Sequence, residues 1–145
     1  MDANTSPLIS LPQLQALVLS MPMAQTIGLQ FTRLERGQSE VRIPVAQPFT
    51  FRPGQLQATP VFAIADFAAV SAAGSLLPAG WVNATVDAHL KLVAPAAGVA
   101  LVARGRVIDA ARLLTVCAAD VFAVNEAGEE RLCATFLGTA RNIAP

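Results

Sequence analysis

The chain has 145 residues, ten of them Lys or Arg and ten Asp or Glu, for a formal net charge of zero. It is 54% hydrophobic and 14% charged, which excludes a disordered chain and suits one domain spanning residues 1–145. The balanced charge argues against a nucleic-acid surface, and so much apolar side chain points to a face hidden in an oligomer.

The longest charge-free stretch, Phe67 to Val86, is broken by Gly74, Pro78, Gly80 and Asn83. It reads as helix, turn and strand start, and no membrane span is expected. The opening MDANTSPLISL has an acid and no Lys or Arg, unlike a secretory leader, so a cytoplasmic location is expected.

In chain order, Leu14, Leu17, Val18 and Met21 recur at helical spacing between Pro12 and Pro22. They predict a helix over about 11–21. Alternation then predicts strands around 29–34 (Leu29 and Phe31 inward) and 40–45 (Val41, Ile43 and Val45 inward). Residues 46–57, with two prolines and a glycine, read as loop. Thr59-Pro60 reads as an N-cap and first helical residue, opening a long central helix over about 59–77 that stops at Pro78 and Gly80.

Four strands follow. Over 82–93, Val82, Ala84, Val86, Ala88, Leu90 and Leu92 alternate with Asn83, Thr85, Asp87, His89 and Lys91. Strands over 99–109 and 113–124 are apolar on both faces, as central strands would be, and a strand over 131–141 closes the chain. Asn125 to Gly128 supplies a hairpin turn. This order predicts an α+β domain, with an antiparallel sheet packed on one long helix.

The central helix is apolar around its whole circumference and contains one charge, Asp66. Asp66 lies seven residues past Thr59, beyond the first turn where the helix dipole acts. A buried, unpaired carboxylate costs several kcal/mol or is driven towards its neutral form. Asp66 therefore faces water, pairs with a distant Arg, or is a functional acid in an apolar cleft.

The segment GQLQATPVFAIAD, Gly54 to Asp66, resembles the start of the central helix in hotdog-fold acyl-CoA thioesterases, in particular the phenylacetate-pathway type. Their pattern is approximately G-x-x-H-G-G-x-x-x-x-L-x-D, and Gly54, Ile64 and Asp66 fall in register. MPMAQTIGLQF resembles the family's opening helix-to-strand passage. TVDAHLKLVAP, ending at Pro95, resembles its third strand, and ATFLGTARN its closing strand. The likeness runs from about Met21 to Asn142. Gln57 stands where the family has His, Ala58-Thr59 where it has Gly-Gly, Phe51 where it has Asn or Gln, and Ala94 where it has Arg or Lys.

The resemblance implies a hotdog fold, a homodimer or homotetramer, and a site between subunits. It also implies hydrolysis of an acyl-CoA or acyl-carrier thioester. Asp66 would be the base or nucleophile, the Ala58 amide the oxyanion donor and Gln57 a positioning group. Ala58 can serve so long as its backbone does not need the positive φ that glycine permits. Thr59 caps the helix or touches substrate. Phe62 and Val70, with Ala69 and Ala73, share a face with Asp66 and line an acyl slot or are plain core. Phe51 is a further substrate-side candidate. Arg112, similar to the family's Gly-Arg corner, would meet a coenzyme A phosphate or is a solvated turn charge.

No cofactor is implied, since coenzyme A arrives with the substrate. His89, the only histidine, reads as a surface or interface residue, and no G-x-S-x-G or multi-His metal pattern is present. Cys117 and Cys133 lack metal or redox spacing and read as free buried thiols offset by about three residues in facing strands. Two other readings fit the same scaffold: a non-catalytic acyl-CoA binding or sensing protein, and, less well, a hotdog dehydratase or hydratase.

Overall fold

The computed structural model describes residues 6–145. Ser10 opens α1 (Leu11–Leu19), its hydroxyl accepting the Gln13 N–H at 3.2 Å. The expected helix to Met21 ends two residues early. Pro22, taken as its stop, instead begins a second short helix, α2 (Pro22–Ile27), which Gly28 closes in left-handed backbone at φ 74°. Proline loses nothing at a first helical position, so one residue can end a helix and start the next.

β1 (Gln30–Glu35) and β2 (Gln38–Pro44) form the expected hairpin, with Val41 and Ile43 buried. Residues 46–57 are not all loop. A 3-10 turn (Gln47–Phe49) precedes a minimal hairpin of β3 (Thr50–Arg52) and β4 (Gln55–Leu56), turned at Gly54 with φ 75°.

The central helix, α3, is Ala58–Gly74. Its N-cap is Gln57, with no side-chain hydrogen bond, and Thr59 is an exposed second helical residue rather than the cap. The first turn has no intrahelical use for its N–H groups, so proline is tolerated at several of its positions and marks the start without marking the cap. The helix stops at Gly74, three residues before the expected end. There the Ser75 hydroxyl donates to the Ala72 carbonyl and accepts the Gly37 N–H, both at 2.7 Å. Arg36 donates to the carbonyls of Ser75 and Ile9 at 2.6 and 2.7 Å.

β5 (Val82–Leu92), β6 (Ala100–Ala110), β7 (Leu114–Val124) and β8 (Glu130–Ile143) complete a six-stranded antiparallel sheet of order β1-β2-β6-β7-β8-β5. The turn at Asn125–Gly128 joins β7 to β8 as expected. β6 and β7 are central and bury side chains on both faces: Leu101 and Ala103 lie in the main core, and Ala100, Val102 and Val124 form a second cluster. Beside that cluster, Arg104 lies 4.9 Å over the Phe122 ring and pairs with Glu40 and Glu130 at 2.8 and 2.7 Å. Cys117 and Cys133 are buried and unbridged. Their offset is larger than expected, because Cys117 pairs with Gly138, five residues past Cys133, and a register slip lies between Val121 and Phe122. None of the described helices is long and apolar enough to cross a membrane.

α3 packs against β2, β5, β6, β7 and β8. Small side chains set how close it lies: Ala65, Ala68, Ala69 and Ala72 are fully buried. The tightest approach is at Gly105, where a Cβ would stand 2.1 Å from the Ala68 carbonyl oxygen. The Ser39 hydroxyl donates to that same oxygen. Backbone cannot yield as a flexible side chain does. Gly105→Ala should therefore cost roughly 3 kcal/mol or more, at or above the top of the usual range for overpacking, read as a lower urea midpoint at fixed protein concentration.

Candidate active site on the uncovered side of the central helix

One side of α3 carries the core residues Val61, Ile64, Ala65, Ala68 and Ala72, all buried. The other side carries Thr59, Phe62, Ala63, Asp66, Phe67 and Val70, spaced three and four apart. Each of these is exposed or only half-buried. A helix apolar all round is thus left partly uncovered along one stripe, and its only charge lies in the middle of that stripe.

Asp66 accepts a hydrogen bond from the Thr85 hydroxyl at 2.8 Å. Among the described residues it has no ion-pair partner. Burial pushes the carboxyl above the ordinary aspartate value, and the Thr85 bond opposes that shift. The Cys117 thiol is raised to about 11, first by its own burial and then by the negative charge of Asp66.

Thr85 reaches Asp66 because β5 does not alternate cleanly. Its pairing with β8 slips between Thr85 and Asp87. After the slip, Ala88 and Leu90 pack on the core, as expected. Before it, Asn83 and Thr85 turn towards α3: Asn83 donates to the Val70 carbonyl at 3.2 Å and Thr85 to Asp66. The bulge changes which parity of side chain faces inward. The expected grouping of Asn83 and Thr85 with Asp87, His89 and Lys91 on one outer face is thereby corrected for its first two members.

Asp66 and Thr85 open onto a cleft of about 380 Å³ between α1, α3 and the start of β5. Val70 lines the same cleft. Gln57, Ala58 and Phe51 line a different hollow of about 340 Å³ against Leu92, Ala94 and Pro95. Thr59 and Phe62 lie between the two on α3. Phe62 is 38% exposed and meets Phe136 edge-on at 5.8 Å. Phe51 is 55% exposed, with the Arg52 guanidinium 5.4 Å from its ring centre. Arg112 is exposed in the bend between β6 and β7 and lines neither hollow.

Within one chain the proposed acid and the proposed oxyanion donor are therefore apart. Ala58 and Asp66 are eight residues along one helix, or about 12 Å at 1.5 Å per residue. Ala58 begins α3, so its N–H is one of the first-turn donors with no intrahelical partner. No non-glycine residue among those described has positive φ, so alanine fits this position without strain.

Sequence reading missed Thr85, Trp81 and the α1 side of the cleft. The solitary tryptophan after Gly80 was the one available signal, but nothing local marks the bulge.

Searches among known proteins place the fold. No protein-family model and no curated protein matches the sequence. Solved structures do match. A thioesterase family protein from Silicibacter pomeroyi is 28% identical, with a TM-score of 0.89 over 94% of this chain and all of that one. A thioesterase from Haemophilus influenzae is 20% identical, with a TM-score of 0.80 over 96% of this chain and 94% of its own. The E. coli PaaI protein, from the phenylacetic acid degradation operon, is 20% identical, with a TM-score of 0.77 over 93% and 97%. The chain has the hotdog fold, an antiparallel sheet packed on one long helix. The first two of these solved structures are described as thioesterases.

Two outcomes follow from the Asp66 environment. Thr85→Val removes the one interaction that favours the charged carboxylate, so the Asp66 titration midpoint, followed by carbon NMR of the carboxyl, should move to higher pH. Burial penalises only the ionised form. Its cost to stability is absent below the ordinary aspartate value of 3.8, grows as pH rises through the window up to the raised value, and is complete above it. Asp66→Asn should therefore be more stable than the parent at neutral pH. That advantage should shrink as unfolding is measured at progressively more acidic pH.

Proposed function

We propose that this chain is an acyl thioester hydrolase that works as a homodimer, or as a dimer of dimers, with Asp66 as its base or nucleophile. The observation that carries this reading is Asp66 itself. It is a largely desolvated carboxylate with a hydroxyl partner and, among the described residues, no counter-ion, on a stripe of an apolar helix that those residues leave open. Groups perturbed in this way concentrate where chemistry is done. The hotdog neighbours described as thioesterases support the same reaction class.

The distance between Ala58 and Asp66 supports a composite site. A second copy that laid its helix start beside Asp66 would bring an Ala58 amide and a Gln57 side chain to the carboxylate. The β5 edge supports such a pairing. It is eleven residues long, hydrogen-bonds only to β8, and shows Val82, Val86 and Leu92 to solvent. A long unshielded edge of that kind calls for a partner.

In the hydrolysis, the thioester carbonyl lies at the Ala58 N–H, which stabilises the oxyanion as it forms. Asp66 takes a proton from water as the water oxygen bonds to the carbonyl carbon. Collapse of the tetrahedral species breaks the C–S bond, and the proton held by Asp66 passes to the leaving thiolate. The products are a carboxylic acid and a free thiol. In the nucleophilic variant, an Asp66 oxygen bonds to the carbonyl carbon as the C–S bond breaks and thiolate leaves; water then cleaves the mixed anhydride to the carboxylic acid, restoring the Asp66 carboxylate and supplying the proton that the thiolate takes up. Gln57 orients water or carbonyl but exchanges no proton. Coenzyme A or an acyl carrier enters and leaves with the substrate.

The test is a panel of acyl-CoA esters with free-thiol detection, run beside light scattering. The parent should release thiol as a dimer or tetramer. Asp66→Asn should lose about 10²–10⁴-fold in kcat, the usual worth of a positioned base. Undiminished turnover in that variant would remove Asp66 from the mechanism. Saturable ester binding with no thiol release would favour a binding protein, and hydration of a crotonyl ester without thiol release a hydratase.

A further inference from the structure

The hollow beside Asp66 is polar at one end and greasy along its length. On α3 it runs from Asp66 through Phe67 and Val70 to Gly74, a distance of about 12 Å. Leu14, Leu17 and Val18 of α1, with Met21 just beyond it, form one wall, and Trp81 and Val82 close the β5 side. Three of these large apolar side chains are nearly half exposed: Leu17 at 47%, Met21 at 42% and Val82 at 49%. Exposed apolar residues scattered singly mean little, but several converging on one cleft mark a binding surface. Its only charged group among the described residues, Asp66, meets Thr85 at one end, and Ser71, further along α3, is buried. Further along, the Asn83 amide is already committed to the Val70 carbonyl. At Gly74 the cleft reaches its far end, where α3 and Leu14 pack so closely that a Cβ would stand 3.3 Å from the leucine.

We infer that the cleft under α1 holds the acyl chain of a medium-length, unbranched, uncharged acyl thioester, with α1 and Trp81 setting the chain length. This rests on the hydrolase reading, which supplies the thioester carbonyl at Asp66. From that point the cleft's 12 Å accommodates about eight to ten extended carbons. Its volume of about 380 Å³ lies at the small end of ordinary ligand sites. Among the described residues no cation lines it, so a dicarboxylate-derived acyl group finds no partner there. Val70 is one turn beyond Asp66 and fixes the middle of the channel.

Two measurements made together test this. The first is kcat/KM for the acetyl, butyryl, hexanoyl, octanoyl, decanoyl and palmitoyl esters of coenzyme A, with the parent and Val70→Phe. The second is the emission of Trp81, the only tryptophan, when Asp66→Asn protein is titrated with the same esters. The parent's kcat/KM should rise about three- to four-fold per added methylene, the worth of burying one. It should peak at octanoyl or decanoyl and fall at palmitoyl. Val70→Phe should shift the peak to butyryl and lower octanoyl turnover by about ten-fold or more. Should that variant not fold, Leu17→Phe on the opposite wall should shorten the optimum in the same sense. Trp81 emission should respond to octanoyl-CoA and not to acetyl-CoA or free coenzyme A.

Turnover with a flat chain-length profile and a silent Trp81 would overturn the acyl-channel assignment and leave the hydrolase reading standing. A chain-length-dependent Trp81 response with no turnover of any ester would keep the channel and sink the hydrolase reading. Silence in both would overturn both.

Discussion

An α-helix with no polar side must be covered on every side, and α3 imposes that requirement on the rest of this molecule. Its alanines let it lie so close to the sheet that β6 must offer a glycine, Gly105, beneath the Ala68 carbonyl. The sheet covers one side of the helix, α1 part of another, and a stripe from Thr59 to Val70 is left without full cover. The uncovered stripe, the long β5 edge and the exposed valines and leucines beside it are one fact viewed from three elements. Together they leave part of the apolar surface of a single copy facing solvent.

Asp66 lies on that same stripe. Its burial disfavours the ionised carboxylate, and the Thr85 hydroxyl offsets only part of that cost. The arrangement depends on a slip of one residue in β5. Without it, Thr85 would point away from α3 and Asp66 would lack its only hydrogen-bond partner among the described residues. The slip also frees the start of β5 to border the cleft under α1, while the rest of the strand packs on the core. One irregularity in a strand thus separates the half that packs on the core from the half that borders the cleft.

Much of the architecture was legible because it is local. Alternation in 40–45 and the double-sided apolar strands after Val99 reflect which faces water must not touch, and burial in β2, β6 and β7 follows them. The acid in an apolar helix was legible for the same reason, as a violation of the pattern around it. Proline proved ambiguous. Pro22 both ends and begins a helix, and Pro60 lies third in α3 rather than first. Residues 46–57 hide a small hairpin because strands of two and three residues are too short to show a period.

The sequence by itself determined the long elements, their order, the apolar central helix and its one charged residue, since these follow from side-chain polarity repeating along the chain. Only the tertiary structure decided which residues surround that charge. Thr85 and Asp66 are nineteen positions apart, and a register slip between strands brings them together. The separation of Gln57 and Ala58 from Asp66 likewise appears only once the helix has a length in space. Pairing between distant segments is set by how whole surfaces fit, and no local pattern encodes it.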